Sequence, residues 1–147
     1  MMLYISLEIL MPNTKKVQKM LDFQLILENL QSTNSPVIVE GKRDTLALKK
    51  IGFKGVIIEL NDGTSVLATI ERIFQAYGSS TEFIILTDWD KTGNKLAKQL
   101  ISYGESCDLI PNDNLRRILS NFTSKEISCV EELPTFALSL GYKDHSL

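Results

Sequence analysis

The chain has 147 residues, of which 44% are hydrophobic and 23% are charged. A chain of this length and composition can fold as one globular domain with its own core, without metal or disulfide staples. Its formal net charge of −2 excludes a protein that holds a long nucleic-acid duplex by charge alone, because such proteins are normally basic. A nucleic-acid partner would be contacted locally, with the help of a metal ion, or together with a partner protein or a second copy of the chain.

The N-terminal part of the chain predicts an arm and a helix. Residues 1–11 are apolar, but they are too few to cross a bilayer and lack the basic leader and cleavage site of a signal peptide. An arm packed on the domain and translation that begins at Met11 explain them equally well. Residues 14–30 carry apolar side chains at a spacing of three to four, which predicts an amphipathic helix. We expect residues 1–35 to pack on the domain that follows.

From residue 36 the chain alternates between short apolar runs, which predict strands, and longer periodic segments, which predict helices. Strands buried on both faces and alternating with helices predict one α/β domain, a mostly parallel sheet of about four to five strands flanked by helices. The predicted strands are 37–40, 55–60, 83–88 and 106–110, and the predicted helices are 44–51, 64–77, 92–103 and 114–119, followed by a short edge strand at 127–129 and a helix after Pro134.

Acidic side chains follow two of the predicted strands. The first motif, V-I-V-E-G-K-R-D, leaves its strand at Glu40, and the second, L-T-D-W-D-K-T-G-N-K, leaves the third strand at Asp88 and Asp90. Ligands of open parallel sheets bind beyond the carboxyl ends of the strands. Residues two apart on an extended chain share a side, so Asp88 and Asp90 can point into one site. Glu40 faces them if the first and third strands are neighbours.

Three close carboxylates repel one another unless a cation lies among them. Oxygen ligands without Cys or His favour Mg²⁺ or Mn²⁺, and the helix that begins near Thr92 offers free N–H groups to a phosphate. Flanking cations can pair with further phosphates, although a solvated helix start explains the first two equally well; these cations are Lys42, Arg43, Lys91 and Lys95.

Together the two motifs resemble the Toprim domain, in which a strand followed by Glu-Gly precedes, about two βα units later, a strand followed by Asp-x-Asp-x-x-Gly. Topoisomerases, bacterial primases, recombination proteins and certain nucleases contain this domain. The E-G-K-x-D version at 40–44 is most similar to the ribonuclease that matures 5S ribosomal RNA and to small stand-alone Toprim proteins. The resemblance covers a Toprim core at 36–110 and leaves 111–147 as a C-terminal helical extension of the same domain.

By position, the resemblance implies that Asp88 and Asp90 chelate Mg²⁺, for which Mn²⁺ can substitute. It implies that Glu40 is the general acid or base of phosphoryl transfer, or a further metal ligand. Trp89, between the two aspartates, would stack on a base or cover the site, with core packing as the alternative.

The resemblance implies Mg²⁺-dependent phosphodiester chemistry on RNA or DNA, carried out by a small nuclease, with RNA processing as one example. The alternative is a non-catalytic module that binds nucleic acid or a nucleotide through Mg²⁺ while a partner does the chemistry. The motifs place no nucleophilic tyrosine, and the chain has no zinc module, which argues against a topoisomerase and a primase. Small-nucleotide chemistry ranks last, because a Walker A loop is missing.

Other polar residues have simpler interpretations. Asp90 taken alone would be a helix N-cap. Arg116 and Arg117, with Lys125, form a modest basic cluster, for which a solvated helix face is favoured over an RNA contact.

The cysteines argue against a disulfide or a zinc site, and the single histidine argues against hydrolases that depend on one. Cys107 and Cys129 have no CxxC spacing and no histidine nearby, which predicts reduced core residues in a cytoplasmic protein. His145 is two residues from the C-terminus, where chains are poorly ordered, which argues against Ser–His–Asp and Cys–His hydrolases.

Overall fold

The computed structural model describes residues 14–61, 63–123 and 126–142. The predictions for residues 1–11, Lys125 and His145 therefore lie outside the described residues. Within the described ranges, no helix is long and apolar enough to span a bilayer. The elements are α1 (Thr14–Gln31), β1 (Val37–Val39), α2 (Lys42–Lys50), β2 (Ile57–Glu59), α3 (Val66–Tyr77), β3 (Glu82–Ile85), α4 (Lys91–Ser106), β4 (Ile110–Asn112), α5 (Asn114–Thr123), a 3₁₀ helix (Val130–Glu132) and α6 (Leu133–Ser139).

The four strands form one sheet in the order β2-β1-β3-β4, and all three pairings are parallel. This confirms the predicted single α/β architecture with a parallel sheet. β1 and β3 lie side by side, with Ile38 opposite Ile85. The segments that leave these two strands therefore begin at the same edge of the sheet and next to each other.

Alternate residues of the central strands supply the cores on the two faces of the sheet, as the period of two requires. Val37 and Val39 belong to the core formed with α1, α2, α5 and α6. Ile38 and Ile85 belong to the core formed with α3 and α4. Helices therefore cover both faces, which explains the continuous apolar runs of these strands.

The fourth strand lies later than predicted. We expected it at 106–110, but α4 continues to Ser106, and pairing with β3 begins at Ile110. Gly104 does not end the helix, because it is the point where α4 contacts Phe83; a Cβ at Gly104 would lie 2.8 Å from the Phe83 ring. The chain turns only at Asp108, which has a φ of 57°.

The edge strand predicted at 127–129 is wrong. The carbonyl of Ser128 accepts a hydrogen bond from the backbone N–H of Trp89 at 2.9 Å, so this segment lies against the loop after β3 and does not extend the sheet. The two cysteines are also misplaced by the prediction, since Cys107 and Cys129 are free thiols that are half-buried rather than core residues. Cys107 caps the end of α4, and Cys129 precedes the 3₁₀ helix.

Phe23 makes α1 part of the core. Its fully buried ring lies 5.6 Å from the ring of Phe122 and 5.3 Å from that of Phe136, between centroids. We expect Phe23→Ala to lower the free energy of unfolding by about 3–5 kcal/mol through lost contacts and a cavity, measured by chemical denaturation. Leu25 lies on the same helix and is 63% exposed, so Leu25→Ala should change the free energy of unfolding by less than about 0.5 kcal/mol. Equal effects would mean that α1 is not anchored through Phe23.

Candidate metal and phosphate site

Glu40 and Asp88 contact each other at the carboxyl edge of the sheet. Glu40 is the first residue after β1, and its Oε2 accepts a hydrogen bond from the backbone N–H of Asp88 at 2.8 Å. Both residues are half-buried. The contact follows from the neighbouring positions of β1 and β3, the condition under which the sequence predicted that these acids face each other.

The pKa of Asp88 is raised by its burial and by the carboxylates close to it. Burial raises the pKa of Asp88 to about 6, and the charges of Glu40 and Asp90 add to the rise. The Val130 N–H opposes it by donating a hydrogen bond to Asp88 Oδ1 at 2.9 Å. A hydrogen-bond donor or a cation close to Asp88 would favour its charged form and lower this pKa.

Asp90 is the N-cap of α4. Its Oδ1 accepts a hydrogen bond from the Gly93 N–H at 2.7 Å, so the simple interpretation as a helix cap describes what this side chain does. Gly93 itself lies against the loop between β3 and α4, residues 86–90, which we call the acidic loop. A Cβ at this position would be 1.7 Å from the carbonyl oxygen of Asp88. Only glycine lets the first turn of α4 approach so closely.

A fourth carboxylate, that of Asp44, lies beside the first three. It is 7% exposed, and its Oδ2 accepts a hydrogen bond from the Gly41 N–H at 3.1 Å. Burial and then the charge of Asp88 raise the pKa of Asp44. The motif at 37–44 includes Asp44 without predicting a role for it. Its position three residues after Gly41, from which a capping carboxylate can reach back, was the available signal.

The side-chain chemistry of these acids suits a hard divalent cation better than their arrangement in the structure does. They offer carboxylate oxygens, the ligands that Mg²⁺ prefers, and a cation would relieve the repulsion that raises the pKa of Asp88. Among the residues that the structure describes, however, no three His, Cys, Asp or Glu side chains are arranged to hold a metal ion. The hydrogen bonds to Asp88 Oδ1 and Asp90 Oδ1 occupy one oxygen of each aspartate.

The predicted phosphate-binding cations lie near the N-terminal ends of the two helices that follow the acids. Lys42 and Lys91 are the first residues of α2 and α4, and these two lysines and Lys95 are exposed. Arg43 pairs with Glu131 at 3.6 Å, with 82% of the arginine side chain exposed. Arg43 and Glu131 also line a cavity of about 330 Å³ between α2 and α6.

Trp89 is held against the C-terminal part of the chain. Its Nε1–H donates to the Ile127 carbonyl at 2.9 Å and to Thr123 Oγ1 at 3.1 Å. The ring is half-buried and packs on the core below the sheet. The predicted base-stacking role would have to use the part of the indole that remains exposed.

The prediction that Arg116 lies on a solvated helix face is wrong. The favoured interpretation was a solvated helix face, but Arg116 is 7% exposed and donates to the carbonyls of Thr87 and Asp88. Arg117 does lie at the surface, where it pairs with Asp113 at 3.3 Å. Arg116 precedes the buried Leu119 by three residues, a spacing that puts both on one helix face and could have signalled its burial.

The cysteine nearest the site is unsuited to chemistry. Burial and a hydrogen bond to Glu132 raise the pKa of the Cys129 thiol to about 12. The thiol donates to Glu132 Oε1 at 3.0 Å. Because nucleophiles and metal ligands are thiolates, Cys129 serves as neither at neutral pH.

Comparisons with known proteins agree with this geometry. The Toprim domain model matches residues 35–122. The UPF0292 protein of Methanosarcina barkeri is 35% identical over 129 residues, 88% of this chain and 87% of that protein. The UPF0292 protein of Pyrococcus abyssi is 35% identical over 121 residues, 82% of this chain and 88% of that protein. The chain therefore belongs to the Toprim family and, within it, to the UPF0292 proteins.

A solved structure of a protein from Aquifex aeolicus has the same fold, with a TM-score of 0.63 at 22% identity over 74% of this chain and 95% of that one. The Toprim match confirms the family that the motifs indicated and runs to residue 122, within α5. It gives the chain a metal-dependent function related to nucleic acids.

Gly93→Ala should damage the fold and the site together. The added methyl group would overlap the Asp88 carbonyl, and the backbone there cannot yield without moving α4 or the acidic loop. We expect a loss of about 1–3 kcal/mol in the free energy of unfolding, measured by chemical denaturation. Thr92→Ala, at the neighbouring exposed position, is the control and should cost less than about 0.5 kcal/mol. A fully stable Gly93→Ala variant would contradict the close approach.

Asp88→Asn should stabilise the metal-free protein near neutral pH. Because the pKa of Asp88 moves from 3.8 to about 6 on folding, the folded protein holds this proton more tightly than the unfolded chain does. The associated stability is full below about pH 3.8 and is lost as the pH rises through about 6. The shift corresponds to about 3 kcal/mol, which water reduces to about 1–2 kcal/mol at a half-buried group.

Denaturation of both proteins between about pH 4 and pH 7.5, with a chelator present, measures this difference. Asparagine keeps an oxygen for the Val130 N–H, so the variant loses the charge and not the hydrogen bond. Asp22→Asn, which removes an exposed carboxylate on α1, controls for the change in net charge. A difference between Asp88→Asn and the wild type that does not grow with pH would contradict the prediction.

Proposed function

We propose that the chain carries out Mg²⁺-dependent phosphodiester chemistry on nucleic acid, as a small nuclease, with RNA processing as a candidate task. The observation that carries the proposal is the contact between Glu40 and Asp88 from neighbouring strands, with Asp90 close enough for its charge to raise the pKa of Asp88. Carboxylates concentrated at the ligand-binding edge of a parallel sheet repel one another, and a cation bound among them would relieve that repulsion.

Each predicted residue has a role in this proposal. Asp88 and Asp90 would hold Mg²⁺, or Mn²⁺ in its place, and Glu40 would be a further ligand. When bound, the ion would stabilise negative charge on the scissile phosphate. Glu40 is the candidate general acid or base, because its carboxylate is half-buried and lies within hydrogen-bonding distance of the acidic loop.

The predicted phosphate-binding cations would bind the substrate. Lys42, Lys91 and Lys95 are exposed cations next to the acids and would pair with phosphates flanking the reacting one. Arg43 could do so only by leaving or sharing its exposed pair with Glu131, which costs little. With a net charge of −2, such contacts would be local, and Trp89 would add stacking of one base. The free thiols are consistent with action in the cytoplasm.

A second candidate is a non-catalytic module that binds a nucleic acid or a nucleotide through Mg²⁺ while a partner protein, or a second copy of the chain, completes the site. The observation that favours it is the engagement of Asp90 as a helix cap and of Asp88 with Val130. These contacts leave no ready metal cage among the described residues.

One assay separates the two candidates. Purified protein is incubated with structured RNA, single-stranded RNA, and single-stranded and duplex DNA, in Mg²⁺, Mn²⁺ or chelator. We expect metal-dependent cleavage that falls by at least about 100-fold in Glu40→Gln and in Asp88→Asn, because each removes a group that acts on the reacting phosphate. Glu105→Gln, which changes an exposed carboxylate near the far end of α4, is the matched control and should cleave like the wild type.

Each result of this assay supports or refutes at least one of the two candidate functions. Absence of cleavage, with binding that survives Glu40→Gln and is lost in Asp88→Asn, would support the binding module. Cleavage that survives both substitutions would come from a contaminant or another site and would refute the nuclease proposal. Neither binding nor cleavage on any substrate would refute both.

A further inference from the structure

Arg116 is a buried cation that reaches from α5 to the acidic loop. Its Nε–H donates to the carbonyl of Thr87 at 3.0 Å, and its Nη2 donates to the carbonyl of Asp88 at 2.6 Å. Nη2 also donates to Asn94 Oδ1 at 2.5 Å. The guanidinium thus binds two successive backbone carbonyls and one side chain of α4, at 7% exposure.

The two carbonyls belong to the part of the loop that the sheet does not hold. β3 ends at Ile85, and the last backbone hydrogen bond to β1 is donated by the Leu86 N–H to the Ile38 carbonyl at 2.8 Å. Beyond it, the next backbone hydrogen bond is donated by the Trp89 N–H to the Ser128 carbonyl at 2.9 Å. Between these two bonds, side chains bind the Asp88 N–H and the carbonyls of Thr87 and Asp88. Glu40 binds the Asp88 N–H, and Arg116 binds the carbonyls.

We propose that Arg116 is a positioning residue, which sets the direction of the Asp88 carboxylate in the site by holding the carbonyls of Thr87 and Asp88. The proposal rests on the proposed function of the acids as metal ligands. A guanidinium suits this task because its planar fork presents N–H groups in fixed directions, whereas a lysine ammonium is a point charge without a fork. Groups behind the metal ligands commonly orient them in this way.

The competing account is that Arg116 only offsets negative charge, since it faces the carboxylates of Asp113, Glu40, Asp88 and Asp90. The two accounts predict different results for a substitution that keeps the positive charge but removes the planar fork, such as Arg116→Lys. If Arg116 were only a counter-charge, the affinity for Mn²⁺ would stay unchanged. If Arg116 positions the loop, its replacement would weaken Mn²⁺ binding.

The test compares Arg116→Lys with Arg117→Lys in the full chain. Both keep the charge on α5, but only the first removes a fork that binds the loop, since Arg117 is exposed and pairs with Asp113. The first readout is metal-free: hydrogen exchange of the Val130 amide, which donates to Asp88 Oδ1. We expect Arg116→Lys to speed this exchange at least about 10-fold through local opening, with the Leu86 amide as the internal reference for global unfolding. Arg117→Lys should match the wild type.

The second readout is the affinity for Mn²⁺ alone, measured by calorimetry. We expect Arg116→Lys to raise the dissociation constant by about 10- to 100-fold and Arg117→Lys to leave it unchanged. Should Arg116→Lys fail to fold, Asn94→Ala replaces it. That variant removes one acceptor of the guanidinium at an exposed position and should show both effects to a smaller degree.

Unchanged Val130 exchange, or tighter or unchanged Mn²⁺ binding in Arg116→Lys, would overturn the proposal. A wild type that binds no Mn²⁺ would end the metal-site function. The positioning of Asp88 by Arg116 would then be decided by the Val130 exchange alone.

Discussion

The carboxylate of Glu40 meets the backbone of Asp88 because β1 and β3 are neighbours in a parallel sheet. That adjacency brings several negative charges to one edge of the molecule, where burial and neighbouring charges raise the pKa of Asp88 and of Asp44. Much of the surrounding structure stabilises this edge. Backbone N–H groups bind the carboxylates, and the one buried guanidinium in the described chain binds the carbonyls beside them.

The acidic side chains therefore have structural roles in addition to the proposed chemical ones. Asp90 caps α4, Asp44 binds the turn at Gly41, and Glu40 holds the loop after β3. Under the proposed function, a substitution at any of these positions would alter folding and activity together, because the same side chains would serve both. Controls at exposed acids are needed for this reason, and pH and metal dependence tell more about the site than loss of activity does.

The site extends beyond the two motifs. Arg116 on α5 and the segment around Val130 both contact the Asp88 loop, and Trp89 packs on the same C-terminal segment. Val130 lies after the end of the Toprim match at residue 122. The C-terminal part of the chain thus completes the environment of the acids, and the family core alone does not contain all the groups that orient them.

The sequence by itself determined the fold class, the family and the edge of the sheet where the acids lie, because strand–helix alternation and the positions of Glu40 and Asp88 after strands are local patterns. It could not determine which groups Arg116 binds, or that Gly104 is a packing contact and not a helix stop. The packing between elements decided those features. Arg116 and Arg117 are adjacent residues of the same type. The fold distinguishes them, because backbone carbonyls face Arg116, whereas Arg117 pairs with Asp113 at the surface.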